Sequence, residues 1–201
     1  MAGGLAELEQ LTSLGGDPNQ VLPTLDAKAT AALADGRLGD ARESWRRYAE
    51  SSASQAPAGL YQAARGAIWS GRTDQVRSDL EALDATGFHG RVVEVRRLTL
   101  RAALAAMEGR TTEALGLYRD ALTSWHGLGM AWDEALTGID MVSVLDPSNP
   151  EVRAVAQSTC VILERLGAKP YLERLEAALA RYPSASAAPA TAAQAVAAGP
   201  A

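Results

Sequence analysis

Three residues spaced four apart give this sequence its clearest chemical signal: Tyr61, Arg65 and Trp69. In an α-helix, residues at this spacing share one face. An arginine between two aromatic rings can pair with a carboxylate, because its planar guanidinium presents parallel N–H donors. The alternative is structural, with Trp69 packed against a neighbouring helix and Arg65 solvated. Which of these two interpretations holds depends on the helices that position these residues.

The remaining reactive side chains form no catalytic motif. Neither lysine, Lys28 or Lys169, follows a glycine-rich phosphate loop. His89 and His126 have no second ligand at helical spacing, so we expect both in partly exposed loops. Cys160 is the single cysteine, and its apolar surroundings predict a buried, inert thiol. We expect no catalytic residue, no metal and no cofactor.

The charged side chains are expected to be solvated. Asp133 and Glu134 are adjacent and therefore do not face each other on a helix. One predicted helix carries four arginines, with Glu94 among them: Arg91, Arg96, Arg97 and Arg101. A solvated helix face is favoured over a phosphate-binding patch, because the chain has a net charge of −5. Direct nucleic-acid binding is not expected.

A glycine–arginine pair recurs at spacings of 35 and 38 residues, as Gly36-Arg37, Gly71-Arg72 and Gly109-Arg110. The residue four positions before each glycine is small: Ala32, Ala67 and Ala105. The residue five positions after is small or of modest size: Ala41, Val76 and Ala114. The residue nine positions after is bulky: Trp45, Leu80 and Tyr118. This pattern predicts a left-handed glycine cap between two closely packed antiparallel helices.

The helical periodicity of the apolar residues continues on both sides of these turns and predicts an all-α fold made of repeated helix pairs. We predict helix pairs at 22–35 with 38–51, 57–70 with 73–85, 91–108 with 111–126, and 129–145 with 150–166. Asn149 is the expected N-cap of the eighth of these helices. A last helix at 170–182 would cap the stack, with an apolar stripe of Leu172, Leu175, Leu179 and Tyr182. The predicted units are 1–20 (a short helix near 4–14 and a loop), 21–182 (a right-handed stack of hairpins) and 183–201 (a disordered Ala/Pro-rich tail).

The stretch "EALGLYRDAL" resembles the second helix of a tetratricopeptide repeat, with Ala114, Tyr118 and Ala121 at the signature positions. The first repeat departs from the pattern at Tyr48, where a small residue is usual, and the second departs further. The C-terminal phrase "ILERLGAKPYLERLEAAL" resembles the end of a large bacterial signalling family. Those proteins join an ATP-binding module, and often a nucleotide cyclase such as adenylate cyclase or a helix-turn-helix regulator, to a long tetratricopeptide region.

The resemblance implies a tetratricopeptide-like helical-hairpin solenoid whose concave groove receives an extended peptide or a neighbouring domain. The residues carried onto that groove are Asp26, Thr30, Tyr61, Arg65, Trp69, Arg96, Thr99 and Met107. We expect a non-enzymatic scaffold or sensor whose partner is a protein or peptide, such as a cyclase or ATPase domain. The alternative is a small-ligand-sensing regulatory domain of a transcriptional regulator. An enzyme with a scattered site is not favoured, because no residue pattern indicates one.

The sequence also predicts a location in the cell. A single thiol suits a reducing compartment, and the N-terminal "MAGGLAELEQ" lacks the basic start of a secretory signal. No apolar run approaches the ~18 residues that a membrane span requires. We therefore expect a cytoplasmic protein without a membrane anchor.

Overall fold

The computed structural model describes residues 18–181, which form nine α-helices, one 3₁₀ turn and no β-strand. The helices are α1 (Pro18–Ala34), α2 (Leu38–Ser51), α3 (Ala56–Trp69), α4 (Thr73–Ala85), α5 (Arg91–Met107), α6 (Thr111–Gly127), α7 (Ala131–Val144), α8 (Pro150–Arg165) and α9 (Lys169–Ala180). The all-α prediction is confirmed. The predicted helix at 4–14, Tyr182 and the predicted tail lie outside the described residues.

The helix bounds agree closely with the periodicity, and the largest difference is at the start of α1. That helix begins at Pro18 instead of residue 22. Proline suits a first helical position because the N–H that it lacks would have no acceptor within the helix. The expected N-cap of α8 is confirmed, since Asn149 Oδ1 accepts a hydrogen bond from the backbone N–H of Glu151 at 2.8 Å.

The three glycine–arginine turns have the predicted conformation. Gly36, Gly71 and Gly109 have φ between +71° and +80°. The N–H of each following arginine donates to the carbonyl of the small residue identified from the sequence, at 2.8–2.9 Å. This Schellman arrangement satisfies carbonyls that a helix end would otherwise leave free. Two further turns, at Gly129 and Gly167, use the same pattern without the arginine.

The packing positions on either side of these turns are buried as predicted. The residues five positions after the glycines have no exposed surface, and the bulky residues four positions further on are also buried. Small side chains let the two helices of a hairpin approach closely, and the bulky ones fill the space beyond them. Each hairpin therefore carries its own part of a shared core.

Four of the odd-numbered helices, α3, α5, α7 and α9, form an inner layer. In this layer α3 packs on α5, α5 on α7 and α7 on α9, and α3 also reaches α7 directly. The helices α4, α6 and α8 pack mainly on their hairpin partners, whereas α2 packs more extensively on α3 than on its hairpin partner α1. Because α3 contacts α7 as well as α5, these inner helices form a compact group. Side chains on the faces where α3, α5 and α7 meet are therefore brought together in the interior.

The last helix, α9, packs on α7 and α8. Of its predicted apolar stripe, Leu175 is buried, whereas Leu172 and Leu179 are half-buried. The other buried residues of α9 are Tyr171 and Ala178, each one position before a predicted leucine. None of the helices between residues 18 and 181 is long and apolar enough to cross a bilayer.

Candidate functional site

Tyr61, Arg65 and Trp69 lie in the interior between α3 and α7, with at most 1% of any of the three exposed. Arg65 Nε donates to both carboxylate oxygens of Asp140, at 3.1 and 3.2 Å. Trp69 Nε1 donates to Asp140 Oδ1 at 2.7 Å. The carboxylate that the sequence pattern anticipated is thus supplied by the chain itself. The solvated Arg65 of the alternative interpretation is wrong, because the inner helices enclose it.

The other donors of Arg65 are also satisfied. Its Nη1 donates to Gln62 Oε1 at 2.6 Å, and its Nη2 donates to the Tyr61 hydroxyl at 2.8 Å. The guanidinium carbon lies 4.7 Å from the centroid of the Tyr61 ring. Burial is the largest single effect and acts to lower the pKa of Arg65, but the charge and hydrogen bond of Asp140 together with Tyr61 and Asp133 outweigh it, so this pKa is raised. Arg65 is therefore a permanently charged, fully paired group.

Asp140 is the acceptor at the centre of this network. Burial raises the pKa of its carboxyl, and the charge of Arg65 and the N–H donors of Arg65 and Trp69 oppose that effect. Both neighbours are donors only, so the acceptor-only carboxylate matches them and a protonated acid would not. We therefore treat Asp140 as ionised at neutral pH, in a desolvated pair with Arg65.

Arg96 differs from every other inward-facing arginine. Of the arginines in residues 18–181, six are buried or half-buried. Five of these six have a carboxylate or carbonyl acceptor within hydrogen-bond distance: Arg42, Arg46, Arg65, Arg97 and Arg174. The Nε of Arg96 is buried and has no hydrogen-bond partner within that part of the chain. Burial lowers the pKa of Arg96, against the opposing effects of Tyr61 and Asp133.

The ring of Tyr61 lies close to Arg96 and to the ring of Trp125. The Arg96 guanidinium carbon is 5.7 Å from the Tyr61 ring centroid, and the Trp125 ring is 6.3 Å from it. Trp125 Nε1 and the Tyr118 hydroxyl are buried without a partner in the described region. Burial raises the pKa values of Tyr61 and Tyr118, so both phenols keep their protons. Arg96 Nε, Trp125 Nε1 and the Tyr118 hydroxyl are thus three buried donors that lack an acceptor in the described region.

The remaining predicted groove residues are not part of this network. Asp26 and Thr30 are exposed on α1, and Met107 is half-buried against the core. Thr99 is buried, and its hydroxyl donates to the carbonyl of Val95 at 2.9 Å. Among the hydrogen bonds of residues 18–181, none joins these four side chains to Arg65 or Arg96. The structure brings together only Tyr61, Arg65, Trp69 and Arg96.

The sequence analysis missed the polar residues of α7. Asp133, Thr137 and Asp140 are spaced four and three apart and are all buried, with Asp133 8% exposed. The expectation that Asp133 is solvated is therefore wrong. The missed signal was a polar stripe at helical spacing on an otherwise apolar helix. Such a stripe indicates that polar side chains of another helix lie opposite it in the interior.

The basic run on α5 is only in part a solvated face. Arg97 is buried, with its Nε 2.7 Å from Asp84 Oδ1 and its Nη2 donating to the carbonyl of Phe88 at 2.8 Å. This side chain ties α5 to the end of α4 and the loop between them. Arg91 and Arg101 are exposed, as expected for a solvated face.

The thiol and the two histidines lie near the surface. Cys160 is half-buried instead of buried, with Sγ 3.6 Å from Glu164 Oε1. Burial and the Glu164 carboxylate raise the pKa of this thiol, which keeps it protonated. The side chains of His89 and His126 are 82% and 81% exposed, and His126 lies in the last turn of α6 rather than in a loop.

Comparison with known proteins identifies no relative: no family model, curated protein or solved structure matches the chain. The likeness to tetratricopeptide regions and to bacterial signalling proteins therefore rests on the residues quoted above.

Proposed function

We propose that the chain is a non-enzymatic interaction module, a tetratricopeptide-like stack of hairpins that binds a carboxylate-bearing segment of a partner protein at its inner helices. The observation that carries this proposal is Arg96, the one inward-facing arginine of residues 18–181 whose buried Nε has no acceptor. Arg65, the residue favoured by the sequence pattern, is already neutralised by Asp140.

The energetic argument concerns the desolvation of a cation. Moving a guanidinium out of water is unfavourable unless a counter-charge and hydrogen bonds replace the lost solvation. Arg65 and Arg97 receive both from carboxylates of the chain. Arg96 receives a ring contact from Tyr61 but no ion pair within 4 Å in the described region. A ligand carboxylate would supply what is missing.

Two other buried donors without an acceptor in the described region, those of Trp125 and Tyr118, indicate the chemistry of the ligand. Trp125 Nε1 is donor-only and the Tyr118 hydroxyl can donate, so an acceptor group suits both. Burial lowers the pKa of Arg96, and the negative charge of Asp133 opposes that effect and so already balances part of the guanidinium charge. These contacts favour a singly charged carboxylate, from an aspartate, a glutamate or a chain terminus, over a phosphate.

The signalling context is part of the same proposal. If the chain serves as the tetratricopeptide end of a bacterial signalling system, the partner segment belongs to an effector such as a cyclase or ATPase domain, and binding takes place in the cytoplasm. The resemblance of the C-terminal phrase supports this assignment.

The test is a selection of displayed random peptides on three purified chains: wild type, Arg96→Ala and Arg101→Ala. Arg101 is the matched control, because it lies on the same helix with its side chain 53% exposed. We expect selected peptides to share an acidic residue or a free carboxyl terminus. A hydrogen bond to a charged group contributes about 1.5–3 kcal/mol, so Arg96→Ala should weaken binding about 10- to 150-fold. Equal binding by the wild type and Arg96→Ala would contradict the proposal.

Sensing of a small ligand is the second candidate, favoured by the burial of the three free donors. A free carboxylic acid would satisfy them without a peptide chain. Thermal-shift measurements with a panel of small carboxylic acids separate the two functions. Stabilisation by a free acid, lost in Arg96→Ala and absent with peptides, would favour the sensor.

A further inference from the structure

A groove runs along the outside of the molecule between α6 and α8. Both helices pack on α7, and the salt bridge between Arg119 and Glu151 joins them across the gap. We define the outer groove by the four half-buried apolar side chains that flank it: Leu115, Leu122, Val155 and Ile162.

The outer groove contains two cavities, one near each end. The first, of about 280 Å³, is lined by residues that include Leu122, Val155 and Ile162. The second, of about 250 Å³, is lined by residues that include Leu115 and Val152. From Val152 to Ile162, α8 rises about 15 Å, which is the length of roughly three turns of a ligand helix. The groove is therefore long enough for a short ligand helix.

The apolar side chains on each wall are spaced seven residues apart. Leu115 and Leu122 lie on α6, and Val155 and Ile162 lie on α8. Seven residues make about two helical turns, so each pair lies along one side of its helix. Two such stripes facing one gap can accept the apolar face of a third helix, as in helix-in-groove recognition.

The charged residues that line the two cavities are all acidic. Glu134 and Glu151 line the first cavity, and Asp146 lines the second. Arg119 binds Glu151 through two hydrogen bonds, at 2.9 and 3.1 Å, but does not line either cavity. A helix that fills the groove would therefore meet carboxylates beside its apolar stripe, which favours lysine and arginine at those positions.

We propose that the outer groove binds a basic amphipathic helix of a partner protein. Neither residues 1–17 nor residues 182–201 contain a lysine or arginine, so these segments lack the required charge. Neither Arg96 nor Tyr61 lines the two cavities, and the proposed occupant has the opposite charge to the ligand proposed for Arg96.

The experiment measures binding of two synthetic helices by fluorescence anisotropy. Each peptide is about 14 residues long and carries leucines at the spacing of an amphipathic stripe. One has lysines beside the stripe, and the other has glutamates at the same positions. We expect the lysine peptide to bind at least tenfold more tightly than the glutamate peptide.

Variants then locate the site on the chain. Ile162→Lys should weaken binding of the lysine peptide at least tenfold, because it places a cation in the groove. Val161→Lys is the matched control: Val161 is 64% exposed, does not line the groove and should tolerate the change. Arg119→Ala should tighten binding by up to about fivefold, since it frees Glu151 for the peptide and exposed ion pairs contribute up to about 1 kcal/mol. Circular dichroism checks that each variant is folded.

Three outcomes would overturn the proposal: equal binding of the two peptides, equal effects of Ile162→Lys and Val161→Lys, or self-association of the wild type that Ile162→Lys abolishes. The last outcome would identify a second copy of the chain as the occupant. Arg96→Ala should leave binding of the lysine peptide unchanged, so failure here is distinguishable from failure of the carboxylate site.

Discussion

Replacing Asp140 by alanine should destabilise the fold by about 3–5 kcal/mol, the usual effect of removing one partner from a buried ion pair. The structure predicts a loss of stability near the upper end of this range. Both Asp140 and Arg65 are fully buried, and Trp69 Nε1 would lose its acceptor as well. The guanidinium of Arg65 would remain charged and enclosed, because an arginine does not lose its proton in a protein.

A double variant tests whether the unpaired charge is the cause. Arg65→Met with Asp140→Ala should be more stable than Asp140→Ala alone, because no uncompensated charge remains in the interior. Glu113→Ala is the control, since Glu113 forms an exposed pair with Arg110 and should change stability by at most about 1 kcal/mol.

Urea unfolding followed by circular dichroism and tryptophan fluorescence gives the free energies. Asp140 accepts a hydrogen bond from Trp69, so fluorescence also reports directly on this region. The reasoning is refuted if Asp140→Ala costs no more than Glu113→Ala. It also fails if the double variant is less stable than Asp140→Ala.

Four further substitutions test local features of the fold, three by the same unfolding assay and one by amide hydrogen exchange. Gly59→Ala should destabilise the fold by about 1–3 kcal/mol, because the added Cβ would lie 2.8–2.9 Å from backbone atoms of α2. Gly116 faces open space, so Gly116→Ala should stabilise the fold by about 0.5–1 kcal/mol. Equal effects of the two changes would contradict the close approach of α3 to α2. Asn149→Ala should cost about 1 kcal/mol through loss of the N-cap bond, and no loss would show that α8 does not depend on it. Arg97→Ala should speed amide hydrogen exchange around Phe88 while α9 stays protected, because Arg97 holds the carbonyl of Phe88; unchanged exchange would count against that anchoring role.

The features that the sequence predicts correctly are local. The turn at Gly36 follows from a left-handed cap, and the start of α8 follows from a side chain two residues away from the N–H it binds. Helix periodicity is also a short-range signal, so nearly all helix bounds could be placed from it. These parts of the fold need no knowledge of which helices meet.

The features that the sequence does not predict depend on long-range contacts. Arg65 and Asp140 are separated by 75 residues, and their pairing requires α3 to reach α7 past α5. Spacing alone identified Arg65 as a carboxylate-binding group, which is its chemistry, but could not identify Asp140 as the carboxylate. The same limit applies to Asp133, whose burial depends on how α7 faces the inner layer.

The central claim is that Arg65 is satisfied within the chain and that Arg96 is the arginine available to a ligand carboxylate. NMR spectra of the arginine Nε–H groups, recorded while a selected acidic peptide is added, test it most directly. We predict that the Arg96 signal moves in proportion to the bound fraction while the Arg65 signal stays in place. Movement of the Arg65 signal with an unchanged Arg96 signal would contradict the account.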